Sequence, residues 1–540
     1  KEQLKTVLEE QQTTDEKLGD ILLRMKFATE EDIMRALAFQ KGLVFTDLSK
    51  IVIEEDTYKI IPSDMAHRFQ AIPISIEQDN LTLAMADPTN LVAIEEFENK
   101  TGMKVTAVLA TARSIEKAIK KYYEGLAGMR DLSDESIETI EEDSTEQSDE
   151  GDFSSEDAPI VKYVYSIILE AIEKKASDIH FESQEQSASL RLRIDGKLKD
   201  FPGPSKRAFP AIISRIKVMS NLDIAERRLP QDGKCRIKIK DKRVDMRVST
   251  LPTIYGEKIV IRMLHRSSIK MDMSDLGFKK EDIEKYLKAL LNPHGMVLVT
   301  GPTGSGKTTT LYAGINYINE PEKNIVTIED PVEYEMDRIN QVQVKPIIDL
   351  NFANILRSVL RQDPDVIMIG EIRDRETGEI SIQAALTGHM VLSTLHTNDA
   401  VSTLSRLRYL GIEPYLIADA VELVIAQRLI RKICPQCREE FEFDKNILSK
   451  LGLEGRDDIK MYHGIGCDEC YGTGYSGRSA VYEMLEVNKD IKKMVIQERP
   501  DIEIKDAAIK NGMVSLRDMS IGRLIEGHTT LEEVLTVTFG

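Results

Sequence analysis

The stretch Gly295-Met-Val-Leu-Val-Thr-Gly-Pro-Thr-Gly-Ser-Gly-Lys-Thr-Thr-Thr310 combines a short apolar run, a glycine-rich turn and a segment that can continue as a helix. Residues Gly301 to Thr308 match the pattern G-x-x-x-x-G-K-[ST]. Glycines let the backbone bend with its N–H groups pointing inward, and the helix adds the positive end of its dipole. The stretch therefore predicts a cradle for phosphate at the end of a buried strand.

Two side chains of this cradle have expected roles of their own. Lys307 is expected to reach the β- and γ-phosphates of ATP as a point charge, and the Thr308 hydroxyl is expected to ligate Mg²⁺. The alternative is a glycine-rich loop that matches by coincidence, but the strand before it and the helix after it agree with the motif. The predicted ATP-binding residues are Gly301, Pro302, Thr303, Gly304, Ser305, Gly306, Lys307, Thr308 and Thr309.

The pattern of apolar strand, turn and helix repeats from about residue 269 to 430. Apolar runs begin at Met296, Ile325, Val366 and Met390, with helical stretches between them. This alternation predicts an α/β fold whose mostly parallel sheet is covered by helices on both faces. Ligands of such open sheets bind at the carboxyl ends of the strands, where the phosphate cradle lies.

Length, charge and cysteine content limit the class of protein. The chain has 540 residues, a formal net charge of -19 and five cysteines, so we expect several domains and a reducing compartment. The negative charge argues against nucleic acid as a partner and disfavours a DNA-translocating motor. No apolar run reaches the roughly 18 residues of a membrane span, and the first residues lack a signal peptide's apolar core. We expect a soluble, cytoplasmic protein.

Composition divides the chain into five regions. The first has helical spacing near Lys17 and Ile33 followed by three strand-like runs, and the second is rich in Asp, Glu, Ser and Thr. An apolar helix from Ile160 opens the third region, which then becomes β-rich. The predicted regions are a small α/β domain at 1–125, a flexible acidic linker at 126–157, a second α/β domain at 158–268, the nucleotide-binding core at 269–430 and a C-terminal region with cysteine pairs and helices at 431–540.

Acidic residues and histidines follow or flank the predicted core strands. ATP hydrolysis needs Mg²⁺ held in place and a group that orients or deprotonates the attacking water. Candidates lie in Glu329-Asp-Pro-Val-Glu333 and in Gly370-Glu-Ile-Arg-Asp374, although acids after strands are also helix caps. His389 and His396 flank the strand from Met390, and one of them could sense the γ-phosphate; a hydrogen-bonded structural histidine is the alternative.

The second α/β domain carries many arginines on or beside its strands. For any one of them, an exposed polar face is a sufficient explanation. These arginines are Arg191, Arg193, Arg227, Arg228, Arg243, Arg247 and Arg262.

Four of the five cysteines form two C-x-x-C pairs, Cys434–Cys437 and Cys467–Cys470. Paired thiolates of this form suit a tetrahedral, structural Zn²⁺, and a redox C-x-x-C is the rival interpretation. Cys235 stands alone in a strand-like segment and is expected to be an inert, buried thiol.

These motifs together resemble the secretion ATPase superfamily that drives type II secretion and type IV pili, and most closely the type IV pilus extension ATPases. The likeness rests on the phosphate cradle, the aspartate box Thr327-Ile-Glu-Asp-Pro-Val-Glu333, the variant Walker B Val366-Ile-Met-Ile-Gly-Glu-Ile-Arg-Asp374 and the histidine box Gly388 to Thr397. It spans nearly the whole chain. It implies a RecA-like ATPase core, a PAS-like domain before it, a regulatory N-terminal domain and a zinc-bearing helical C-terminal region.

The resemblance also implies roles for single residues. Glu333 would be the catalytic carboxylate, Glu371 the Walker B acid near Mg²⁺ and His396 a sensor of the nucleotide state. The PAS-like domain would lend arginines to the phosphates of a neighbouring subunit, and the candidates are Arg243, Arg247 and Arg262. The family forms hexameric rings at the cytoplasmic face of the inner membrane and binds an integral membrane platform protein, so a peripheral homo-hexamer using ATP, Mg²⁺ and Zn²⁺ is implied.

Several alternatives stay open. A type II secretion ATPase has the same chemistry and a different partner, and the motifs do not separate the two. A retraction motor is disfavoured because those relatives lack the cysteine region and the long N-terminal region. A regulatory module would bind nucleotide without turnover. Some N-terminal domains of the family bind cyclic di-GMP through R-L-G-x-x-L-L-x-x-G repeats, but here Lys17-Leu-Gly19 replaces Arg-Leu-Gly and Lys26 replaces the last glycine.

Overall fold

A computed structural model gives the fold of the chain. It describes residues 43–48, 51, 53, 55–77, 79–119, 122–123, 137–139, 158–239, 242–264, 273–441, 443, 448, 451–453 and 459–539, with Ile21, Leu22, Met25, Phe27, Arg35, Ala36 and Ala38. The helical spacing predicted near Lys17 and Ile33 falls mainly outside these residues. Within the segments just given, no helix has both the length and the apolar character to cross a membrane.

A three-stranded sheet organises the N-terminal region. β1 (Ala71–Glu77) pairs antiparallel with β2 (Asn80–Met85), which pairs parallel with β3 (Lys104–Leu109), so the three predicted strands are confirmed. Alternate strand residues enter two apolar clusters, because successive side chains of a strand point to opposite faces. The helices around this sheet span Glu55–Tyr58, Ser63–Phe69, Leu91–Thr101 and Ala112–Ile119.

The second sheet is antiparallel throughout and has the order β4-β8-β9-β10-β5-β6-β7. Helices Ala158–Glu173 and Phe209–Met219 pack on one face over an apolar cluster, while the other face carries charged side chains. The strands are β4 (Ile137–Thr139), β5 (Asp178–Ser183), β6 (Ala188–Ile194), β7 (Lys197–Phe201), β8 (Gln231–Ile239), β9 (Lys242–Thr253) and β10 (Gly256–Leu264).

Strand β4 lies inside the region predicted to be a flexible linker. Its three residues pair with residues 237–239 of β8, so the linker prediction is wrong at Ile137–Thr139. The acidic composition around them gave no strand signal, because the pairing is supplied by the open edge of β8 and not by local propensity. The rest of 126–157 lies outside the described residues.

The third sheet has the order β13-β12-β14-β15-β11-β16-β19, and every pair is parallel except β16 with β19. Met296 and Leu298 enter the apolar cluster on one face and Val297 and Val299 that on the other, which confirms a sheet covered on both sides. The strands are β11 (Gly295–Thr300), β12 (Ile325–Glu329), β13 (Ile339–Gln343), β14 (Val366–Ile369), β15 (Met390–Leu395), β16 (Val421–Ile433) and β19 (Tyr475–Glu486).

Helices connect these strands. Those of the core span Lys280–Leu290, Lys307–Ile318, Phe352–Val359, Arg375–Leu386, Ala400–Tyr409 and Pro414–Ala420, with a 3₁₀ turn at Pro346–Ile348. The predicted C-terminal helices are confirmed at Lys489–Ile496, Asp501–Lys510, Leu516–Ile525 and Leu531–Phe539.

The core sheet continues beyond residue 430. β16 and β19 form one long antiparallel pair, and the connection between them holds the short pair β17 (Arg438–Phe441) and β18 (Met461–Gly464). The C-terminal region therefore contributes a strand to the nucleotide-binding core as well as the cysteine pairs and helices.

Candidate active site and metal site

The phosphate cradle lies between β11 and the helix that begins at Lys307. All six residues of β11 are buried, and the turn that follows bends back through Gly301 (φ +143°) and Gly306 (φ +87°). A Cβ at Gly301 would lie 2.4 Å from the carbonyl oxygen of Gln427, so only glycine fits there. The motif thus has the strand, turn and helix that its pattern requires.

Lys307 points back into the turn. Its Nζ donates to the carbonyl oxygens of Gly301 at 2.9 Å and Pro302 at 3.1 Å. Burial is the largest cause that lowers the pKa of Lys307, and the nearby Glu371 opposes it. Neutral carbonyl oxygens bind an ammonium group less strongly than an anion does. The Lys307 ammonium group is therefore suited to bind a phosphate.

The carboxyl ends of β14 and β15 bring Glu371 and His396 together. β14 and β15 are parallel neighbours, so the residues that follow them meet at the same edge of the sheet. His396 Nε2 lies 3.2 Å from Glu371 Oε2, and Arg373 Nη2 lies 2.5 Å from Glu371 Oε1. A largely buried carboxylate and a half-exposed imidazole (side chains 12% and 50% exposed) thus face the cradle region as a pair.

The segment after β12 separates its two glutamates. Glu329 is buried and accepts hydrogen bonds from Tyr312, from Thr327 at 2.6 Å and from Gln341 at 3.1 Å, so it acts as an internal acceptor. Glu333 remains partly exposed, and its Oε2 lies 3.1 Å from Arg247 Nη1. Glu333, unlike Glu329, is therefore accessible to solvent, and its catalytic role stays a prediction.

The three candidate arginines have different surroundings. Arg247, on β9, contacts Glu333 and also donates to the carbonyl oxygen of Val332, all within its own chain. These contacts place Arg247 beside Glu333 of its own chain, because the charged face of β9 packs against the segment after β12. The role of Arg247 at a neighbouring subunit, which the resemblance implies, stays a prediction. Arg262 Nε lies 3.1 Å from Asp178 Oδ1 and its side chain is 61% exposed. Arg243 lies in β9, but its side chain is outside the described set.

Other predicted candidates have structural partners. His389 Nδ1 lies 3.0 Å from the Ala384 carbonyl oxygen at the end of a helix. Arg191 pairs with Glu182 at 2.8 Å, and Arg193 with Asp178 at 3.4 Å. His389 is therefore a hydrogen-bonded structural histidine, and Arg191 and Arg193 form ion pairs within their own sheet.

Two residues of the site were missed by sequence reasoning. Gln427 is fully buried and Arg428 half-buried, at the point where β16 passes the phosphate loop. The sequence signal is a Gln-Arg pair that follows the apolar run Leu423 to Ala426, and the sequence did not identify this segment as a parallel neighbour of β11.

The four paired cysteines form one cluster. Their Sγ atoms all lie within 4.8 Å of one another, with Cys434–Cys467 and Cys437–Cys470 at 3.8 Å and Cys467–Cys470 at 3.7 Å. Tetrahedral Zn–S bonds of about 2.3 Å place sulfurs roughly 3.8 Å apart, whereas a disulfide needs about 2.05 Å. The spacing therefore fits a tetrahedral zinc site, and none of these cysteines is in a disulfide bond.

Backbone groups support the cluster. The N–H groups of Cys467 and Gly474 each lie 3.2 Å from Cys470 Sγ, and Cys434 N–H donates to Gly474 O at 2.9 Å. Such N–H···S bonds orient a thiolate ligand from outside the metal shell. Cys235 is separate: it is buried in β8, and burial raises the pKa of its thiol to about 11, as expected for an inert cysteine.

Two family models match parts of this chain. The model of the family described as "Type II/IV secretion system protein" matches residues 154–536, and that of the MshEN domain matches residues 42–129. The chain belongs to the type II/IV secretion system protein family. As a member of this family of secretion ATPases it is an ATP-hydrolysing enzyme, and the predicted RecA-like α/β core is confirmed.

Two relatives and one solved structure show how far the likeness extends. The type IV pilus assembly ATPase PilB of Myxococcus xanthus is 44% identical over 545 residues, covering 99% of this chain and 96% of that protein. The type II secretion system ATPase E of Vibrio cholerae is 44% identical over 385 residues, covering 71% and 76%. The X-ray structure of the ATPase DotB of Yersinia pseudotuberculosis shares the fold at 21% identity, with a TM-score of 0.52 and coverage of 74% and 98%.

Proposed function

We propose that this ATPase powers type IV pilus assembly, by driving pilin polymerisation through an inner-membrane platform protein. The observation that carries this proposal is the extent of similarity: likeness to the Myxococcus pilus assembly ATPase continues across 99% of the chain, including the N-terminal region. The likeness to type II secretion relatives covers less of the chain: 71% for the ATPase of Vibrio cholerae and 88% for protein E of Pseudomonas aeruginosa. Type II secretion is therefore the second candidate, favoured by equal identity in the shared part.

Within the site, each residue has a proposed task. Residues 301–309 bind the phosphates, with Lys307 as the cation and Thr308 as a Mg²⁺ ligand. Glu333 activates the attacking water, Glu371 holds the Mg²⁺ shell, and His396 senses the nucleotide through its contact with Glu371. Arg247 supplies positive charge where the transferred phosphoryl group becomes more negative.

The assembly is proposed to be a homo-hexamer at the cytoplasmic face of the inner membrane. This rests on the family, as does the platform protein as partner. Cyclic di-GMP at the N-terminal domain is a further proposal, supported by the MshEN match and weakened by the departures at Lys17 and Lys26. The Zn²⁺ on the four cysteines is proposed as structural, since four thiolates leave no open coordination position.

Deleting the gene in its source organism separates the two candidate functions. Loss of surface pili with normal export of secreted enzymes supports pilus assembly. Loss of export with normal pili overturns it in favour of secretion. Complementation with Glu333→Gln must fail in either case, because the machine then lacks turnover.

A biochemical experiment tests the motor itself. Steady-state ATPase activity of the purified full chain is measured with and without the cytoplasmic domain of the platform protein. Stimulation that disappears in Lys307→Ala supports a coupled motor, whereas nucleotide binding with no turnover under either condition indicates a regulatory module.

A further inference from the structure

Strand β16 runs directly behind the phosphate loop. It is the parallel neighbour of β11, with Thr300 paired to Ala426, so the next residues of β16 lie beside the glycine-rich turn. Gln427 is fully buried there, and its Nε2 donates to Ser305 O at 2.9 Å while its Oε1 accepts from Thr310 Oγ1 at 2.7 Å. One amide therefore joins the middle of the loop to the first turn of the following helix.

Arg428 continues this support on the adjacent side. A Cβ at Gly301 would lie 3.2 Å from Arg428 Nη1, so the guanidinium packs against the first glycine of the loop. Its Nη2 donates to the carbonyl oxygen and the side-chain oxygen of Asn398, at 3.1 and 3.3 Å. Asn398 comes two residues after His396, so Arg428 spans the gap between the phosphate loop and the segment predicted to sense nucleotide.

The electrostatics give this arginine a second property. Its hydrogen-bond partners in the described parts of the chain are neutral oxygens, those of Gln427 and Asn398. Asp399 and Glu483 act on it at longer range, and burial is the largest cause that lowers its pKa. Arg428 also helps to lower the pKa of Lys307, after burial, so the two cations share one electrostatic environment. Cations whose hydrogen bonds go to neutral oxygens attract an anion into the space beside them.

We propose that Arg428 is a positioning residue for ATP hydrolysis: it adds a second positive charge beside the phosphate loop and ties that loop to the segment after His396. Charge at this place strengthens phosphate binding, and any monovalent cation of similar length supplies it. The tie needs the fork of a guanidinium, because Nη1 packs beside Gly301 and donates to the Gln427 carbonyl oxygen, while Nη2 of the same planar group donates to Asn398. This inference rests on the proposed role of Lys307 and the loop.

Two substitutions separate the charge from the tie. Arg428→Lys keeps the charge and loses the fork, so Kd for ADP should stay within about twofold of wild type while kcat falls roughly tenfold. Arg428→Met loses both, so Kd should rise roughly tenfold in addition to the fall in kcat. Kd is measured by calorimetry with Mg·ADP, which avoids turnover, and kcat by steady-state hydrolysis.

Arg431 offers a matched control on the same strand. It is held by Glu533 of the last helix, at 2.7 Å, with its guanidinium 3.7 Å from the centre of the Tyr475 ring. Arg431→Lys should lower thermal stability and leave Kd and kcat unchanged.

Three results overturn the inference. They are an unchanged Kd and kcat in folded Arg428→Met, an equal loss of affinity in Arg428→Lys and Arg428→Met, and the same kinetic defect in Arg431→Lys. Unchanged activity in Lys307→Ala would instead overturn the proposed site, and that variant is measured alongside.

Discussion

The two seven-stranded sheets of this chain expose their charged groups in different ways. In the parallel sheet, the central strands are buried on both faces, and the functional groups come after the strands end, at Lys307, Glu371 and His396. In the antiparallel sheet, one face is apolar and the other carries charges along the strands, such as Asp178 and Arg247. The parallel sheet therefore confines its functional groups to one edge. The antiparallel sheet presents charges over a whole face, and their function depends on what packs against that face.

The largest expected effect belongs to the edge of the parallel sheet. Lys307→Ala should lower kcat/KM for ATP by roughly 10⁴-fold, because phosphate binding and transition-state charge both depend on this cation. Calorimetry with Mg·ATP should detect no tight binding. Affinity near that of wild type would mean that the loop binds phosphate through its backbone alone.

Glu333→Gln should spare nucleotide binding and lower kcat by roughly 10³-fold, because the amide cannot take a proton from water. Glu329→Gln is the matched control from the same segment; since Glu329 is a buried acceptor, this change should mainly lower stability. If the two variants have the same kinetics, the distinction between the exposed and the buried acid is wrong, and Glu371 becomes the candidate base.

The next effect tests the face of the antiparallel sheet. Arg247→Met should lower kcat/KM by about 10²-fold, as expected for loss of one charged donor near the reacting group. Its contact with Glu333 is within one chain, so mixing Arg247→Met chains with Glu333→Gln chains should restore no activity.

Recovery of activity in such mixed assemblies would place Arg247 across a subunit interface. Arg262→Met chains are mixed in the same way, because Arg262 is more exposed and the trans role implied by the resemblance remains a prediction for it.

A smaller effect on turnover is expected from loss of the Zn²⁺ proposed on the cysteines between β16 and β19. Cys437→Ser should abolish binding of one Zn²⁺ per chain and expose the connection to protease, while Mg·ATP still binds. Elemental analysis and limited proteolysis measure this, and Cys235→Ser is the control that should keep zinc. Full zinc content in Cys437→Ser would contradict the four-thiolate site.

The smallest effect concerns Glu182 on the charged face. Burial opposes its ionisation, but hydrogen bonds from Arg191 and Lys258 lower its pKa from 4.5 to about 2. A carboxylate whose pKa is lower in the folded state stabilises the fold at pH values above its unfolded-state pKa. This stabilisation is lost as the pH falls through the folded-state pKa. Urea unfolding should therefore show Glu182→Gln less stable than wild type by a constant amount from pH 7 to 5, with the gap narrowing below about 4.5. A gap that widens in acid would refute this.

The same contrast explains what the sequence could predict. Periodicity located the strands, and the glycine pattern located the cradle, because both are local signals. The segment from Glu329 to Glu333 was found as a candidate, but only packing shows that Glu329 faces Tyr312 and Glu333 faces Arg247.

Pairing between strands that are distant in the sequence could not be predicted. Gln427 and Arg428 act because β16 adds to β11 in one register, and no local pattern specifies that neighbour. Strand β4 was missed for the same reason, since its pairing depends on the edge of β8. For the arginines of the antiparallel sheet, the residue type indicated a charged face. The local sequence did not indicate which of them contacts the nucleotide-binding core.

The connection between β16 and β19 has a consequence for chain entropy. Residues 434–474 form what is in effect the loop of one long hairpin, whose last strand completes the nucleotide-binding sheet. In the unfolded chain, bringing together the ends of a segment of this length costs about 3 kcal/mol. Cys434 follows β16 at once and Cys470 shortly precedes β19, so a metal bound to both holds the two ends together locally. The zinc would then act on the sheet by shortening the loop that the sheet has to close.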